Sequence, residues 1–369
     1  MAKPIYHSSI EGAQHGGKGL EGFLAFSKEA GAAGAQPSHY MFEDGDTGEA
    51  FKSAQDIRDT FEKHGLKLDG VSGHCAFWVH TSSWTGTKSG HPFIHGPNQD
   101  KSPEDLEQWY EAYILRLMDL CAELGLKILP MFWGVSHGWE LATGYPWGFW
   151  AGPGFDLVKA GEERFVEKTA KIRAHANSLG IRLAHEIHPG TAAMCAEEFG
   201  RLVEICDGDK CLGVNADPSH CWEGEDWETR FTHPAVRDRV YACHVKNFVI
   251  RPGVPLRRMD GDWHNRAMQF TDLGSGDLNM VRYVEMLINI GYPARSTKSW
   301  APRAPLSSPR PRARTATRTP PPSRASSTSA TSSASPSPKA PSKTTWERNK
   351  SDSFKRKKAR QLPGLFCRN

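Results

Sequence analysis

The sequence has no long apolar run, no apolar leader and no paired cysteines. No stretch reaches the roughly 18 consecutive apolar residues that a membrane-spanning helix needs, and the first residues do not form the apolar core of a signal peptide. The eight cysteines include no CxxC pair, which argues against a zinc ribbon or a thioredoxin-like redox motif. We therefore expect a cytoplasmic protein with reduced, mostly buried thiols that does not associate with a membrane.

Acidic residues are absent from one long part of the chain. No Asp or Glu occurs between Glu285 and Glu347. Residues 294–369 contain 18 Lys and Arg against 2 Asp and Glu, and subtracting these from the totals of 46 and 42 leaves 28 against 40 in residues 1–293. The overall charge of +4 thus combines a segment of +16 with a body of −12. Because such a body lacks clustered Lys and Arg for phosphate contacts, we expect no nucleic-acid partner.

The composition changes abruptly at residue 294. From there Ala, Arg, Pro, Ser and Thr dominate, and such a segment cannot bury an apolar core. We predict that residues 294–369 are a disordered basic tail. We interpret this tail as out-of-frame sequence, because an off-frame reading of GC-rich DNA tends to give these residue types. A genuine basic tail that binds nucleic acid is the alternative.

Residues 1–293 alternate between helical periodicity and short β-like runs. The predicted helices are residues 18–33, 53–64, 103–124, 161–179, 195–206 and 277–290. The predicted strands are residues 67–73, 127–133, 181–187, 212–217 and 240–246, with weaker candidates at 4–7 and 35–40. This alternation predicts a parallel sheet, and seven strands before an expected eighth favour an α/β protein with a closed (β/α)8 TIM barrel.

The eighth strand of this barrel is expected after Gly291-Tyr292-Pro293, where the composition changes. We therefore predict an incomplete barrel over residues 1–293, with two unpaired sheet edges that invite mispairing. We expect the chain to fold poorly or to be much less active than full-length relatives. Two insertions rich in Trp and His, residues 75–102 and 134–160, predict a lid over the carboxyl end of the sheet. The alternative is that their aromatic side chains only pack the loops onto the barrel.

Three successive strands end in potential metal ligands. The segments are Arg182–His188, Leu212–His220 and Val240–Lys246. Because side chains alternate along a strand, Glu186 and His188 share one direction while His185 faces the other, and His244 and Lys246 also point together. Carboxylates and imidazoles are ligands that suit Mn²⁺, Mg²⁺, Zn²⁺ or Co²⁺. The sequence therefore predicts a divalent-metal site where these strands end.

Two further groups are weaker candidates for the same site. His74 ends the segment Val71-Ser72-Gly73-His74 and could equally anchor the loop that follows. The pair in Asp262-Trp263-His264, after the seventh strand, could bind metal or substrate.

The segments His185-Glu186-Ile187-His188-Pro189, Asn215-Ala216-Asp217-Pro218-Ser219-His220 and His244-Val245-Lys246-Asn247 resemble the sugar phosphate isomerase/epimerase family. The fold of that family is a xylose-isomerase-like TIM barrel. The stretch Leu273-Gly274-Ser275-Gly276-Asp277-Leu278 resembles its loop before the final helix. The resemblance excludes the tail, and its motifs indicate the superfamily better than the substrate.

The resemblance implies one divalent metal ion (Mn, Mg, Zn or Co), held by Glu186, Asp217, His244 and a final Glu on the eighth strand. This sequence has no acidic residue in the region of that strand. The implied reaction is proton transfer beside a carbonyl through an enediolate, with Glu186 and His188 as catalytic residues. The implied substrate-binding residues are His74, Trp133, His188, His220, Lys246 and Arg266.

Two other functions remain open on the residues alone. An abasic-site endonuclease shares the barrel and would use Asp262 and His264, but Phe132-Trp133 ends the fourth strand where such an enzyme needs a histidine, and the acidic body opposes DNA. A non-catalytic sugar-binding barrel fits the missing carboxylate, while the retained ligands oppose it. The expected partner is a small sugar or sugar phosphate, bound by a monomer or a homo-oligomer.

Overall fold

The computed structural model describes residues 6–8, 19–83, 93–135, 156–222, 225–256 and 265–292. In these residues the helices are α1 (Gly19–Glu29), α2 (Ala54–His64), α3 (His74–Ser83), α4 (Pro103–Glu123), α5 (Leu157–Leu179), α6 (Ala196–Ile205), α7 (Trp227–Thr232) and α8 (Met280–Asn289). The strands are β1 (Tyr6–Ser8), β2 (Gly34–Gln36), β3 (Lys67–Leu68), β4 (Ile128–Met131), β5 (Arg182–Glu186), β6 (Leu212–Ala216), β7 (Val240–Cys243), β8 (Asn247–Ile250) and β9 (Met268–Thr271). Each strand from β1 to β7 overlaps a predicted strand.

The first seven strands run parallel in two hydrogen-bonded groups, β1-β2-β3 and β4-β5-β6-β7. Gly73, which follows β3, donates from its N–H to the carbonyl of Pro130 in β4 at 2.9 Å, so the groups meet at their carboxyl ends. This arrangement confirms the α/β fold of parallel strands and crossover helices. Residues 293–369, which include the predicted tail and the place of an eighth strand, lie outside the described residues.

The strand register brings the ends of β5, β6 and β7 to one level. Glu186 lies opposite Asn215, and Ala216 lies opposite Cys243, after a register shift that follows Val214. The carboxyl ends of parallel strands share one edge of a sheet, which is where barrels place their chemistry. The residues that end or follow these three strands therefore meet in one place.

The helices around the sheet begin at side chains that cap them. Ser102 accepts from the N–H of Asp105 at the start of α4, and Asp156 accepts from the N–H of Lys159 at the start of α5. Helix α5 ends at Gly180, whose φ of 65° is in the left-handed region that favours glycine. Apolar side chains of the helices and strands form one buried cluster, and each Leu or Phe buried there contributes about 1.5–3 kcal/mol.

Three elements differ from the sequence prediction. Residues 74–83 begin a predicted lid insertion, yet they form α3, which is buried on almost all sides. A helix buried all round lacks the alternation of apolar and polar residues that reveals a helix in a sequence. The segment after β7 forms an antiparallel hairpin of β8 and β9, and α7 is too short for a periodic pattern. Of the rest of the predicted lid, residues 93–102, 134–135 and 156–160 are described, and residues 84–92 and 136–155 lie outside the described residues.

No helix in the described ranges is both long enough and apolar enough to cross a membrane. The described cysteines are free thiols, and five of them are buried: Cys75, Cys121, Cys206, Cys211 and Cys221.

Candidate metal centre

Five adjacent strands each bring one side chain to a common site at their carboxyl ends. His74 follows β3 and Phe132 follows β4, while Glu186 is the last residue of β5. Asp217 and His244 directly follow β6 and β7. The predicted metal ligands and the predicted substrate residue His74 are therefore neighbours.

Glu186 lies at the centre of this cluster and is fully buried. Its Oε1 is 3.1 Å from His220 Nε2, and its Oε2 is 3.0 Å from His244 Nδ1 and 3.3 Å from His74 Nε2. The side-chain amide of Asn215 donates to Oε2 at 2.6 Å. One carboxylate is thus surrounded by three imidazoles and one amide.

Asp217 lies beside Glu186 and presents one oxygen to the cluster. Its Oδ1 accepts from the N–H of Ser219 at 2.9 Å, which fixes the turn after β6. Its Oδ2 is 3.5 Å from His220 Nε2, 3.6 Å from His244 Nδ1 and 3.9 Å from Lys246 Nζ. Because Oδ1 is engaged by the backbone, Oδ2 is the oxygen available to a ligand.

The electrostatics of the cluster favour ionised carboxylates. Burial raises the pKa of Glu186, but the charge of His244 and the close contacts of His220 and His74 outweigh it and hold the pKa well below its usual range. The pKa of Asp217 is also held well below its usual range, because His220 and Lys246 outweigh burial. Burial lowers the pKa of His244, but Glu186 and Asp217 dominate and raise it to about 9. Without a ligand, the cluster is therefore held together by ion pairs.

Several polar atoms of the cluster are buried without a hydrogen-bond partner. They are Glu186 Oε1, Asp217 Oδ2, His74 Nε2 and Asn215 Oδ1. A buried polar atom left unpaired costs about 1–3 kcal/mol. One ligand atom each from Glu186, Asp217 and His220 lie within 4.8 Å of one another. Two carboxylates and nearby imidazoles are a donor set for a divalent cation, and the residues present fit such an ion.

His188 and His220 lie side by side next to the carboxylates, with ring centroids 4.0 Å apart. The Nδ1 of His188 is 2.6 Å from the carbonyl oxygen of Pro189. Burial, reinforced by His220, lowers the pKa of His188 to about 3, so its ring is neutral at physiological pH. A neutral ring that donates from Nδ1 to Pro189 leaves Nε2 as an acceptor. His188 is thus a polar acceptor beside the cluster, and His220 is close enough to both carboxylates to be a metal ligand.

The aromatic side chain next to the cluster is Phe132 and not Trp133. The ring of Phe132 is 4.4 Å from that of His74 and 5.0 Å from that of His188. Trp133 is buried between helices, against Phe77 of α3 at 5.3 Å and Phe165 of α5 at 5.4 Å. This placement differs from the predicted substrate role of Trp133. Successive residues of β4 face opposite sides, and the side shared with Glu186 belongs to Phe132.

Lys246 and Phe270 lie at the edge of the cluster. The ammonium of Lys246 is 3.7 Å from the ring centroid of Phe270 in β9, and that ring is 5.8 Å from the ring of His220. Arg266, predicted to bind substrate, is exposed, and its carbonyl oxygen accepts from Arg251 Nε at 2.9 Å. Within the described ranges, no hydrogen bond or ion pair joins the Arg266 side chain to the cluster. The pair Asp262 and His264 lies outside the described residues.

Besides Phe132, two residues of the cluster were not among the predicted site residues. Asn215 lies two residues before Asp217, so the alternation of the strand places both on one side. That signal is present in the sequence. Phe270 belongs to the β8–β9 hairpin, and its position depends on a pairing that no local pattern indicates.

Comparison with known proteins identifies related sequences and folds. The family model described as xylose isomerase-like TIM barrel matches residues 24–312. No curated protein matches the sequence. Similar solved structures include the apo form of 3-keto-D-glucoside 4-epimerase from E. coli, with 14% identity, a TM-score of 0.50 and coverage of 79% of this chain and 89% of that chain.

A second similar structure is the IOLI protein with a bound zinc atom, with 12% identity, a TM-score of 0.50 and coverage of 78% and 86% of the two chains. A third is a xylose isomerase-like TIM barrel protein from Mycobacterium smegmatis in complex with magnesium, with 19% identity, a TM-score of 0.48 and coverage of 78% and 87%. At these identities the likeness shows the fold alone.

Proposed function

The chain belongs to the xylose isomerase-like TIM barrel family, and we propose that it is a divalent-metal-dependent isomerase or epimerase of sugars or sugar phosphates. The observation that carries this proposal is the group of buried, unpartnered atoms of Glu186, Asp217 and His74 where adjacent parallel strands end. Barrels of this kind place their reacting groups at this end. One protein of similar fold is described as an epimerase of a keto-glucoside, which agrees with the proposal.

Glu186, Asp217 and His244 are the residues that would hold the ion, with His220 close to both carboxylates. When bound, the ion would supply Lewis-acid polarisation of the substrate carbonyl. Glu186 Oε1 and Asp217 Oδ2 make no hydrogen bond with the described residues, so their lone pairs are available to an ion.

Proton transfer next to the carbonyl is assigned to Glu186. Its carboxylate takes the proton from the hydroxyl-bearing carbon beside the carbonyl, the electron pair of that C–H bond becomes the C=C bond of an enediolate, and the π pair of the carbonyl moves onto its oxygen. For the isomer, the hydroxyl of the original carbon gives its proton to the former carbonyl oxygen, and Glu186 returns its proton to the former carbonyl carbon. For the epimer, a solvent water protonates the original carbon from the opposite face, and the proton on Glu186 is released to solvent. Because the pKa of Glu186 is held below its usual range, the group is ionised at neutral pH and can accept a proton. Positioned acid–base groups contribute about 10²- to 10⁴-fold in rate.

The remaining side chains orient the substrate and exclude water. His188 Nε2 would accept a hydrogen bond from a sugar hydroxyl, since its Nδ1 is engaged by Pro189. The rings of Phe132 and Phe270 lie beside His188 and His220 and would cover the apolar face of a sugar. Lys246 would bind a hydroxyl or anionic group at the edge of the cluster.

The proposal is tested by following exchange of a substrate C–H proton with solvent. The full-length chain is treated with EDTA, reloaded separately with Mn²⁺, Mg²⁺, Zn²⁺ or Co²⁺, and incubated in D₂O with a panel of ketoses and aldoses, each with and without a phosphate group. We expect metal-dependent deuterium incorporation next to the carbonyl, detected by NMR, and no incorporation with Glu186→Gln.

Two outcomes would contradict this function. Metal and sugar binding without deuterium incorporation would indicate a non-catalytic binding barrel. Metal-dependent nicking of an abasic DNA duplex would indicate an endonuclease.

A further inference from the structure

His74 has the features of a metal ligand, although the resemblance implies a substrate contact at this position. It is the first residue of α3 and is fully buried. Its Nδ1 lies 2.6 Å from Ser72 Oγ, while its Nε2 makes no hydrogen bond with the described residues and lies at ion-pair distance, 3.3 Å, from Glu186 Oε2. We propose that His74 coordinates the divalent metal through Nε2, together with Glu186, Asp217 and His244. This inference rests on the metal site of the proposed function.

The partner of Nδ1 prepares the other ring nitrogen for coordination. A neutral His74 that donates from Nδ1 to Ser72 Oγ presents an unprotonated Nε2 to the cluster. Histidines that bind metals usually carry such a partner on the second nitrogen, which fixes both the tautomer and the ring orientation. The pair Ser72 and His74 therefore matches the arrangement of a ligand and its supporting group.

Ser72 is itself held in place by the neighbouring strand segment. Its N–H donates to the carbonyl of Pro37 at 2.8 Å, and its carbonyl accepts from the N–H of His39 at 3.0 Å. The side chain is fully buried. Since both backbone groups are engaged, the hydroxyl has a fixed position and can hold the imidazole of His74 in one orientation.

The ring of His74 is also confined by its neighbours. The Phe132 ring contacts it edge-on at 4.4 Å, and the ring of His244 lies 5.8 Å away at an interplanar angle of 33°. This confinement fixes the side chain before any ligand binds, so little conformational entropy remains to be lost on coordination. A buried, fixed and unpartnered ring nitrogen next to Glu186 and His244 is best satisfied by a cation that all three share.

Coordination by His74 has a consequence for the choice of metal. The chain offers no carboxylate between Glu285 and Glu347, so residues 286–346 can add no acidic ligand to the site. A set of two carboxylates and two or three imidazoles suits Zn²⁺ or Co²⁺ better than Mg²⁺, which prefers oxygen ligands and retains its waters. We therefore expect tighter binding of Zn²⁺ and Co²⁺ than of Mg²⁺.

The experiment measures the metal affinity of the full-length, EDTA-treated chain, without substrate. Zn²⁺ and Mg²⁺ are titrated separately in competition with a chromogenic chelator, and Co²⁺ is added to read the visible spectrum of the bound ion. The variants are His74→Gln, which removes the ligand, and Ser72→Ala, which removes its partner. The control is His80→Gln, because His80 is also fully buried and lies in the same helix. Thermal unfolding of each metal-free protein verifies its fold.

We expect Ser72→Ala to weaken Zn²⁺ binding by about 10- to 100-fold, as is typical when the partner of a metal ligand is lost. His74→Gln should weaken it at least as much and change the Co²⁺ spectrum, while His80→Gln should bind like the unaltered chain. Equal Zn²⁺ affinity and an equal Co²⁺ spectrum in His74→Gln would overturn the inference and leave His74 as a substrate residue. If His74→Gln fails to fold, unchanged affinity in Ser72→Ala overturns it instead. Absence of metal binding by the unaltered chain would refute the proposed function itself.

Discussion

Two buried glutamates, one in each half of the molecule, have similar neighbours but different hydrogen bonding. Glu43, in the N-terminal half, lies among histidines and tyrosines: Tyr113 donates from its hydroxyl to Oε1 at 2.5 Å, and His95 Nε2 lies 2.8 Å from the same oxygen. His39 Nδ1 is 2.7 Å from the Tyr113 hydroxyl and extends the network. Neither carboxylate oxygen of Glu43 is among the unpartnered buried atoms of the described residues.

Glu186, in the C-terminal half, has an oxygen that makes an ion-pair contact but no hydrogen bond with the described residues. This oxygen is Oε1, 3.1 Å from His220 Nε2, and Asp217 Oδ2 beside it likewise lacks a hydrogen bond. Both glutamates lie among buried histidines, so the presence of histidines does not separate a structural network from a binding site. The two carboxylates differ in hydrogen bonding: a hydrogen-bonded carboxylate stabilises the fold, whereas a buried oxygen without a hydrogen bond costs free energy until a ligand binds.

The substitution expected to have the largest effect is Glu186→Gln, which removes the negative charge of this carboxylate. Glu186→Gln should abolish metal binding and lower turnover by about 10²- to 10⁴-fold, because it removes both a ligand and the proton acceptor. The amide of Asn215 can still donate to the new side-chain oxygen, so the metal-free fold should persist. Metal titration, turnover and circular dichroism on the same preparation measure these effects. Retained metal-dependent turnover would remove Glu186 from the mechanism.

The matched substitution in the N-terminal half, Glu43→Gln, should lower the free energy of unfolding and leave metal binding unchanged. Glu43→Gln replaces charge-assisted hydrogen bonds from Tyr113 and His95 by weaker neutral ones, and hydrogen bonds to charged groups contribute about 1.5–3 kcal/mol each. We expect a loss of that order in the free energy of unfolding, measured with urea, and unchanged metal affinity. If Glu43→Gln lost metal affinity as Glu186→Gln does, the distinction between the two networks would be wrong.

A third comparison between the two halves concerns a tyrosine hydroxyl that hydrogen-bonds to the backbone of the C-terminal cluster. Tyr283 of α8 donates to the carbonyl of Ala216 at 2.7 Å and lies 3.1 Å from the carbonyl oxygen of His244. Tyr283→Phe retains the ring packing but frees the backbone next to Asp217 and His244. We expect a loss of about 0.5–1.5 kcal/mol in stability and a small loss of metal affinity.

Tyr110→Phe is the matched control for this hydroxyl in the N-terminal half. Its hydroxyl lies 3.0 Å from His95 Nδ1 and 3.1 Å from the carbonyl oxygen of Phe93, away from the cluster. This variant should lose similar stability without a change in metal affinity. Equal metal affinities in both tyrosine variants would show that Tyr283 has no influence on the site.

Much of the C-terminal cluster could be predicted from the sequence, because the patterns that indicate its strands and residues are local. The alternation of β5 separated Glu186 from His185, and the structure places His185 on the opposite side, where its Nδ1 accepts from the N–H of Trp133 at 3.1 Å. The same alternation, applied to β4 and β6, would have selected Phe132 over Trp133 and added Asn215 to the cluster. The strand order is also local and is confirmed from β1 to β7.

The rest depends on contacts between distant parts of the chain. The residues around Glu43 belong to segments 39–43, 95 and 110–113, and no spacing in the sequence brings His95 to Glu43. The position of Phe270 follows from the pairing of β8 with β9, which are separated in sequence by residues 251–267. Whether a buried carboxylate is hydrogen-bonded is decided by such long-range donors. Glu186 could therefore be identified from the sequence at a strand end, but the network around Glu43 could not.

The last expected difference concerns acid stability and a buried histidine of the N-terminal half. Burial, with a contribution from Lys168, lowers the pKa of His80 from 6.5 to about 3. Between these values the unfolded chain binds a proton that the folded protein does not, so the stability present above pH 6.5 is progressively lost as the pH falls toward 3. The urea midpoint of the EDTA-treated chain should therefore be lower at pH 5 than at pH 7. His80→Gln cannot take up this proton and should show a smaller decrease between the two pH values, with Zn²⁺ affinity at pH 7 unchanged. An equal decrease in both proteins would mean that the acid loss arises elsewhere, with the histidines of the C-terminal cluster as the next groups to test.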